Sequence, residues 1–108
     1  MNRDSNLPLT ETVYYILLTL WEPAHGYLIM QKIEELSEGQ VRMAAGTLYG
    51  ALDNLLKSKL ITPTVSEDKR RKTYVITEKG KKLLEADFNR MIHMVKITKA
   101  TVEEENND

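Results

Sequence analysis

The sequence predicts a mainly α-helical domain with a small β-hairpin, which is an α+β fold class. Apolar residues recur at the helical period of about 3.6 in three stretches before residue 59, and the period changes to 2 between residues 60 and 77. A fourth stretch, from residue 78 onward, returns to the helical period. With 108 residues the chain can bury one modest core, so we expect one small domain that a partner subunit would help to stabilise.

The composition is that of a folded protein and excludes several other classes. Hydrophobic residues are 42% and charged residues 29%, which is too apolar for a disordered chain. The longest apolar run, Val13 to Leu18, is far shorter than the roughly 18 residues that a membrane helix needs. The first residues lack a signal-peptide pattern, and the absence of cysteine excludes disulfides and thiolate metal sites. We therefore expect a cytoplasmic protein without a membrane partner.

The charge is distributed unevenly along the chain. Residues 40–82 contain ten basic and four acidic side chains, a balance of +6, whereas the rest of the chain sums to −7. A basic segment within an acidic chain is typical of a protein that presents one face to a polyanion. The alternative is chance clustering on a solvated face.

The first helix is predicted to begin at Pro8 or Thr10 and to end at Leu20, before Pro23. One apolar face follows the helical spacing and consists of Val13, Ile16, Leu17 and Leu20. A second apolar stripe lies beside it and consists of Tyr14, Leu18 and Trp21. Because a helix in so small a domain needs only one apolar face, the second stripe predicts contact with another subunit.

Two further helices are predicted over about 26–38 and 46–58. The earlier one would bury Ile29, Ile33 and Leu36, and Gly39 would close it in the position that favours a left-handed residue. The later one would bury its leucines at 48, 52 and 55. Its opposite side is small and polar and carries Gly50, Asp53, Asn54 and Lys57.

The strands are predicted at Leu60–Val65 and Thr73–Thr77, joined by a long turn with a basic tip. Pro63 cannot donate to a ladder, so one side of the first strand should be a free edge. Thr77 is placed to cap the last helix, which should extend to about Val102.

The last helix carries apolar residues in the pattern of a two-stranded seam. Their spacing is 4, 3, 4, 3, 4. The seam consists of Leu84, Phe88, Met91, Val95, Thr98 and Val102, with Ile92 alongside. A helix of this length, about 37 Å, is longer than the preceding domain can cover. The pattern therefore favours a homodimer over a helix that packs only on its own domain.

Three helices followed by a hairpin is the order of a winged helix-turn-helix domain. In that fold the third helix enters the major groove of duplex DNA and the hairpin, or wing, lies along the backbone. We expect residues 1–77 to form this DNA-binding domain and residues 78–108 to form a C-terminal dimerisation helix with a frayed tail.

Short motifs in the same order resemble the PadR family of bacterial transcriptional regulators. They are His25-Gly26-Tyr27, then Ala45-Gly46-Thr47-Leu48-Tyr49 with Leu52 and Leu55, then Tyr74 before Thr77-Glu78-Lys79-Gly80 and Leu83. The likeness covers about residues 9–85, and the length is similar to that of the short, LmrR-like subgroup. It implies a cytoplasmic homodimer that binds an operator near a promoter, usually as a repressor, and that dissociates when a small molecule or another signal binds.

Two residues depart from the family pattern. Family members commonly have Gly just before the wing, where this chain has Lys59, so Lys59 would have to adopt a left-handed conformation. They also often carry Glu where this chain has Leu56.

The candidate DNA contacts fall into phosphate-binding and base-binding groups. The start of the third helix, with the Thr47 hydroxyl and the Tyr49 phenol, suits phosphate oxygens, while Asn54 and Lys57 suit base edges. The alternatives are that Thr47 only caps the helix, that Tyr49 packs against the wing, and that Asn54 and Lys57 are plain surface. The full predicted set is His25, Tyr27, Gly46, Thr47, Tyr49, Gly50, Asn54, Lys57, Lys69, Arg70, Arg71, Lys72 and Tyr74.

Two further sets of residues are predicted on the first and last helices. The candidate dimer interface is Tyr14, Leu18, Trp21, Leu84, Phe88, Met91, Ile92, Val95, Thr98 and Val102. A small apolar or aromatic effector would lie among Trp21, Phe88, Met91 and Met94, because methionines and flat aromatic rings tolerate varied shapes. The alternative is that these side chains fill a core.

The sequence contains no catalytic constellation. His25 and His93 lie in different segments, and Glu34, Glu35 and Glu38 are expected on a solvated helix face. We therefore predict neither an enzyme nor a metal site, and no cofactor. The alternative function is a winged-helix module that binds protein partners without specific DNA binding.

Overall fold

The computed structural model describes residues 4–66 and 70–106, which form four α-helices and three short strands. The elements are α1 (Glu11–Thr19), β1 (Ala24–His25), α2 (Gly26–Leu36), α3 (Ala45–Lys57), β2 (Ile61–Thr64), β3 (Thr73–Ile76) and α4 (Glu78–Asn106). The predicted α+β winged-helix fold is confirmed. The order of helices and hairpin is as expected, with α2 ending two residues earlier and α4 four residues later than predicted.

Side chains cap three of the four helices at their starts. Thr10 Oγ1 accepts a hydrogen bond from the Val13 N–H (3.1 Å), and His25 Nδ1 accepts one from the Leu28 N–H (3.3 Å). Thr77 Oγ1 accepts from the Gly80 N–H (3.1 Å), as the sequence predicted. At α3 the N-cap residue is Ala44, and no side chain caps the helix.

The C-terminal ends of α2 and α3 share one turn geometry. A non-glycine residue adopts a positive φ at each end, 53° at Glu38 and 62° at Lys59. The following N–H groups then reach back five residues, from Gly39 to the Glu34 carbonyl (2.8 Å) and from Leu60 to the Leu55 carbonyl (3.0 Å). The left-handed conformation expected of Lys59 is confirmed. The prediction that Gly39 closes α2 is wrong in part, because Glu38 takes the first left-handed position and Gly39 (φ 79°) follows it.

The three strands form an antiparallel sheet in the order β1-β3-β2. β2 pairs with β3 from Ile61 opposite Ile76 to Thr64 opposite Thr73, so Pro63 lies on the edge strand as predicted. β1 was not predicted, because its two residues are too few to show an alternating pattern. Its pairing with β3 places the start of α2 beside the wing.

The core lies between the helices and the inner face of the sheet. Its members are fully or nearly buried and include Ile16, Leu17, Leu20, Ile29, Ile33, Leu48, Leu52, Leu55, Leu60, Ile61, Ile76, Leu83 and Leu84. The expectation that Leu36 points inward is wrong, since its side chain is exposed at the last residue of α2. At that end Val41 is buried instead, and its N–H donates to the buried Ser37 Oγ (2.9 Å). Leu83 and Leu84 show that α4 packs on this core with its first two turns.

Candidate nucleic-acid interface

A cleft of about 740 Å³ opens between the start of α2, one side of α3 and the wing. It is lined by His25, Gly26, Tyr27, Tyr49, Asp53, Arg70, Arg71, Lys72 and Tyr74. All of these except Gly26 and Asp53 are predicted DNA-binding residues. The fold therefore brings residues from each of the three resemblance motifs to one surface, although they are far apart in the sequence.

The side chain of Tyr49, on α3, packs against the start of α2. A Cβ atom added to Gly26 would lie 2.6 Å from the Tyr49 hydroxyl oxygen and 2.9 Å from its ring carbon Cζ. Any side chain at position 26 would therefore displace the phenol, which explains why glycine precedes Tyr27 in α2. The Tyr49 side chain is 49% exposed, so its ring packs on α2 while part of it faces the cleft.

Tyr74 lies under the cleft on β3, the central strand, and is nearly buried. Burial raises the pKa of its phenol, and the neighbouring Tyr49 and Asp53 raise that pKa further. The hydroxyl group thus keeps its proton at neutral pH and can donate a hydrogen bond to an anion.

His25 faces two hydrogen-bond donors at once. Its Nδ1 accepts from the Leu28 N–H, and its Nε2 lies 3.0 Å from Nη1 of Arg71 in the wing. A neutral imidazole has one acceptor nitrogen and one N–H, so it can accept only one of these two bonds. When Nδ1 caps α2, the Nε2–H and the Arg71 guanidinium become two adjacent donors, an arrangement that suits an oxygen of an anionic group.

The outward side of α3 continues beyond the cleft and is exposed. Gly46, Thr47, Gly50, Asn54 and Lys57 all lie on it. A Cβ atom added to Gly46 or Gly50 would meet nothing within 4 Å in this chain, so the two glycines leave open space on that side. The alternative that Thr47 caps the helix is wrong, because Thr47 is the third residue within α3. The first turn of α3 is therefore free of a side-chain cap.

Lys69 was predicted to contact DNA but lies outside the described residues. Asp53 was not predicted as a site residue, although it is the acid among the described residues that line the cleft. Asp53 follows Tyr49 by four residues, a spacing that places both side chains on one side of a helix. This spacing is the sequence signal that could have indicated Asp53.

Many of the predicted dimer residues form an exposed apolar face on α1, the turn that follows it, and α4. The exposed fractions are 41% for Leu18, 42% for Trp21, 50% for Phe88 and 58% for Val95, and Ile92 and Val102 are also exposed. Thr98 is exposed as well, and Tyr14 and Met91 are half-buried. Leu84 differs from these because the core of its own chain already buries it.

Two grooves run along this face. One, of about 520 Å³, lies between α1 and α4 and is lined by Leu9, Glu11, Tyr14, Tyr15, Leu18, Asp87, Arg90 and Met91. The other, of about 370 Å³, lies on α4 and is lined by Met91, Met94, Val95, Thr98 and Lys99. Met91 and Met94 thus share a groove, whereas the predicted effector residue Trp21 packs under Lys81, whose Nζ is 5.0 Å from the ring centroid.

A buried ion pair lies at the floor of the α1–α4 groove. Asp87 is 1% exposed, and its Oδ1 accepts a hydrogen bond from Arg90 Nε (2.6 Å). Burial raises the pKa of the adjacent Tyr14 phenol, and the charge of Asp87 adds to that increase. Sequence reasoning missed this pair, because an Asp three residues before an Arg is common on exposed helix surfaces.

Within residues 4–66 and 70–106, no three His, Asp or Glu side chains are arranged to hold a metal ion. Over the same residues, no helix combines the length and the apolar character that crossing a bilayer requires.

Comparisons with known proteins agree with this fold. The model of the transcriptional regulator PadR-like family matches residues 13–86. A PadR-like transcriptional regulator from Bacillus cereus has 30% sequence identity and a TM-score of 0.65, with 83% of this chain and 88% of that chain covered. A transcriptional regulator from Clostridium thermocellum has 25% identity and a TM-score of 0.67, with 95% of this chain and 97% of that chain covered.

A curated relative is similar over a shorter part of its own length. It is an uncharacterised 37.1 kDa protein in transposon TN4556 of Streptomyces fradiae, 36% identical over 72 residues. These residues are 67% of this chain but only 20% of that protein.

Proposed function

The chain belongs to the PadR-like family of transcriptional regulators, and we propose that it is a ligand-responsive repressor that binds a dyad-symmetric operator as a homodimer. The observation that carries the proposal is the basic cleft. It joins the start of α2, the uncapped helix α3 and the wing on one surface.

Phosphate contacts would come from the cleft and from the first turn of α3. The Tyr49 and Tyr74 phenols, the His25–Arg71 pair and Lys72 present donors or positive charge there. Asp53 opposes them, because its carboxylate repels a phosphate that approaches too deeply. The attraction by the donors and the repulsion by Asp53 together favour contact between the sugar-phosphate backbone of DNA and the rim of the cleft.

Base contacts would come from the outward side of α3. Gly46 and Gly50 let the helix approach the base pairs closely, and Asn54 and Lys57 project from the same exposed side. An amide can pair with adenine and an ammonium with guanine in the major groove. Sequence preference would therefore depend on Asn54 and Lys57, and affinity for any duplex on the cleft and the wing.

The apolar face on α1 and α4 supports a two-fold dimer. A second copy would cover Leu18, Trp21, Phe88 and Val95, which are half-exposed in one chain. The effector would bind on the same face, where Met91 lines both grooves. A molecule there would change how α4 packs on α1, and with it the separation of the two α3 helices.

The salt dependence of duplex binding tests the DNA-binding proposal. Replacing Arg71 and Lys72 by Ala should weaken binding to all duplexes alike and reduce the slope of log K against log salt by about 1–2 units. Lys96→Ala is the matched control, since Lys96 is exposed on α4 far along the chain from the cleft, and it should keep the wild-type slope. If the wild-type protein does not bind duplex DNA at low salt, the result would instead favour the alternative function, a winged-helix module that binds protein partners.

A further inference from the structure

The end of α3 and the start of α4 are joined by a cluster of direct hydrogen bonds. Three consecutive carbonyl oxygens after α3, those of Ser58, Lys59 and Leu60, accept bonds from residues at the start of α4. Lys79 Nζ donates to Ser58 O (3.0 Å), Thr77 Oγ1 donates to Lys59 O (2.7 Å), and the Thr77 N–H donates to Leu60 O (3.0 Å). The candidate DNA-contacting helix is thus bound directly to the candidate dimer helix.

The backbone turn at Lys59 exposes these carbonyls to α4. Its φ of 62° reverses the chain, so that the Lys59 N–H returns to Leu56 O (3.0 Å) and the Leu60 N–H to Leu55 O (3.0 Å). The Leu60 side chain is then buried in the core. The turn is therefore held by hydrogen bonds to α3 and by the buried Leu60 side chain, in addition to its contacts with α4.

Gly80 allows α4 to approach this turn closely. A Cβ atom at position 80 would overlap the Leu60 carbonyl oxygen and lie 2.7 Å from Ile76 Cγ1. The two backbones are therefore in direct contact, and a side chain here would push α4 away from α3.

Thr77 is the centre of the cluster because one hydroxyl group makes two bonds. Its proton goes to Lys59 O, and its oxygen accepts from the Gly80 N–H (3.1 Å) at the first turn of α4. The same side chain therefore caps α4 and binds it to the end of α3. Valine has the same shape but makes neither bond, whereas serine keeps both.

From these contacts we propose that Thr77 and Lys79 are positioning residues that set the angle between α3 and α4, and so fix the spacing of half-sites that the dimer accepts. The proposal rests on the proposed function, in which α3 contacts DNA and α4 contacts the second subunit. A rigid joint holds the two α3 helices at one separation. A loose joint lets each α3 follow its own half-site, and the dimer then tolerates altered spacing.

The test measures affinity for a set of duplexes that differ only in half-site spacing. The starting duplex is a fragment bound by wild-type protein in a selection from genomic DNA, and one or two base pairs are then added or removed at its centre. Each base pair moves one half-site by about 3.4 Å and rotates it by about 35°, so wild-type protein should lose affinity steeply. Thr77→Val should lose about 2- to 10-fold on the best duplex and should show a flatter spacing profile. Thr77→Ser should restore the wild-type profile.

Two single lysine substitutions provide a second variant and its control. Lys79→Met removes the bond to Ser58 O without removing the cap of α4, and Lys82→Met is its charge-matched control because Lys82 is also exposed near the start of α4. Lys79→Met should flatten the spacing profile, whereas Lys82→Met should lower affinity equally at every spacing. Sedimentation and circular dichroism establish that each variant is a folded dimer.

Failure of the positioning proposal and failure of the proposed function give different results in these measurements. A folded Thr77→Val dimer with the wild-type spacing profile overturns the positioning proposal, and if that variant does not fold, equal profiles for Lys79→Met and Lys82→Met overturn it. Wild-type protein that shows no dependence on spacing contradicts the proposed two-fold binding itself.

Discussion

The basic cleft and the apolar face differ in how much of their chemistry one chain supplies. In the cleft, Tyr49 packs on Gly26, Tyr74 is nearly buried, and His25 Nδ1 accepts a hydrogen bond from the Leu28 N–H of α2. On the apolar face, Trp21, Phe88 and Val95 are about half-exposed in the single chain. The cleft residues are thus packed and hydrogen-bonded within one chain, whereas the side chains of the apolar face are left half-exposed by it and would be covered by the second copy that we propose.

The two surfaces also differ in the source of their binding free energy, which is the hydrophobic effect on the apolar face and counterion release in the cleft. In the proposed dimer, covering the apolar face would remove hydrocarbon from water, and this would stabilise the dimer whatever the salt concentration. DNA phosphates that bind in the cleft would release counterions, so that the affinity for DNA would fall as the salt concentration rises. Substitutions on the two surfaces should therefore change different measurements.

The largest effect is expected on the apolar face. Replacing both Met91 and Val95 by Glu would place unpaired charges in the dimer interface, and the dissociation constant of the dimer should rise by more than about 100-fold, equivalent to about 3 kcal/mol. Sedimentation equilibrium measures this change directly. DNA affinity should fall with it, because two half-sites are then bound by separate chains.

The matched control adds the same charges to the opposite side of α4. His93 and Ala100 are both exposed and lie about 140–160° around the helix axis from Val95. His93→Glu with Ala100→Glu should leave the dimer intact. If this pair dissociates the dimer as strongly as the seam pair, the seam is not the interface.

An intermediate effect is expected on α3. Asn54→Ala or Lys57→Ala should relax the preference at one base position in each half-site by about 1–3 kcal/mol. Tyr49→Phe should weaken binding to all sequences alike, because a phenol on a phosphate carries no sequence information. Competition binding with single-base variants of the operator measures both. Asn54 and Lys57 variants with the full wild-type preference would show that another side of α3 contacts the bases.

The smallest effect is expected at the turn after α3, which lies on neither surface. A left-handed backbone conformation costs a non-glycine residue about 1–2 kcal/mol in the folded state. Replacing that residue by glycine also lowers stability by about 0.4–1 kcal/mol, because glycine increases the conformational entropy of the unfolded chain. Lys59→Gly should therefore raise stability by about 0.5–1 kcal/mol, an increase in Tm of several degrees. Ser58→Gly is the control, since the φ of Ser58 is −80° and glycine there should lower Tm. A lower Tm for Lys59→Gly as well would mean that the turn is not strained.

Most of the fold was predictable from the sequence, because its helices have long periodic patterns. The leucines of α3 and the cap at Thr77 follow from local rules, whereas the left-handed turn at Lys59 was expected from the family resemblance. β1 was not predictable, since two residues carry no period, and its pairing with β3 depends on the finished core. Leu36 was assigned to the core because periodicity does not show where neighbouring elements stop.

Most residues that line the cleft could be named from the sequence, but the contacts among them could not. The resemblance motifs named His25, Tyr49 and Tyr74, yet no spacing rule predicts that Tyr49 packs on Gly26 or that Arg71 meets His25. These contacts join segments up to 46 positions apart, which only the tertiary fold can bring together. Asp53 and the buried Asp87 were missed for a different reason, because an acid on a helix is ordinarily solvated.

Footprinting of the bound DNA tests the central claim most directly. Fragments of the source genome that the wild-type protein retains should share a sequence with dyad symmetry. Its two half-sites should be centred about one helical turn apart, roughly 34 Å, or a multiple of that distance, because a two-fold dimer presents two α3 helices. Protection of a single asymmetric site, or retained fragments without a common dyad, would contradict the claim that two copies of α3 bind the operator together.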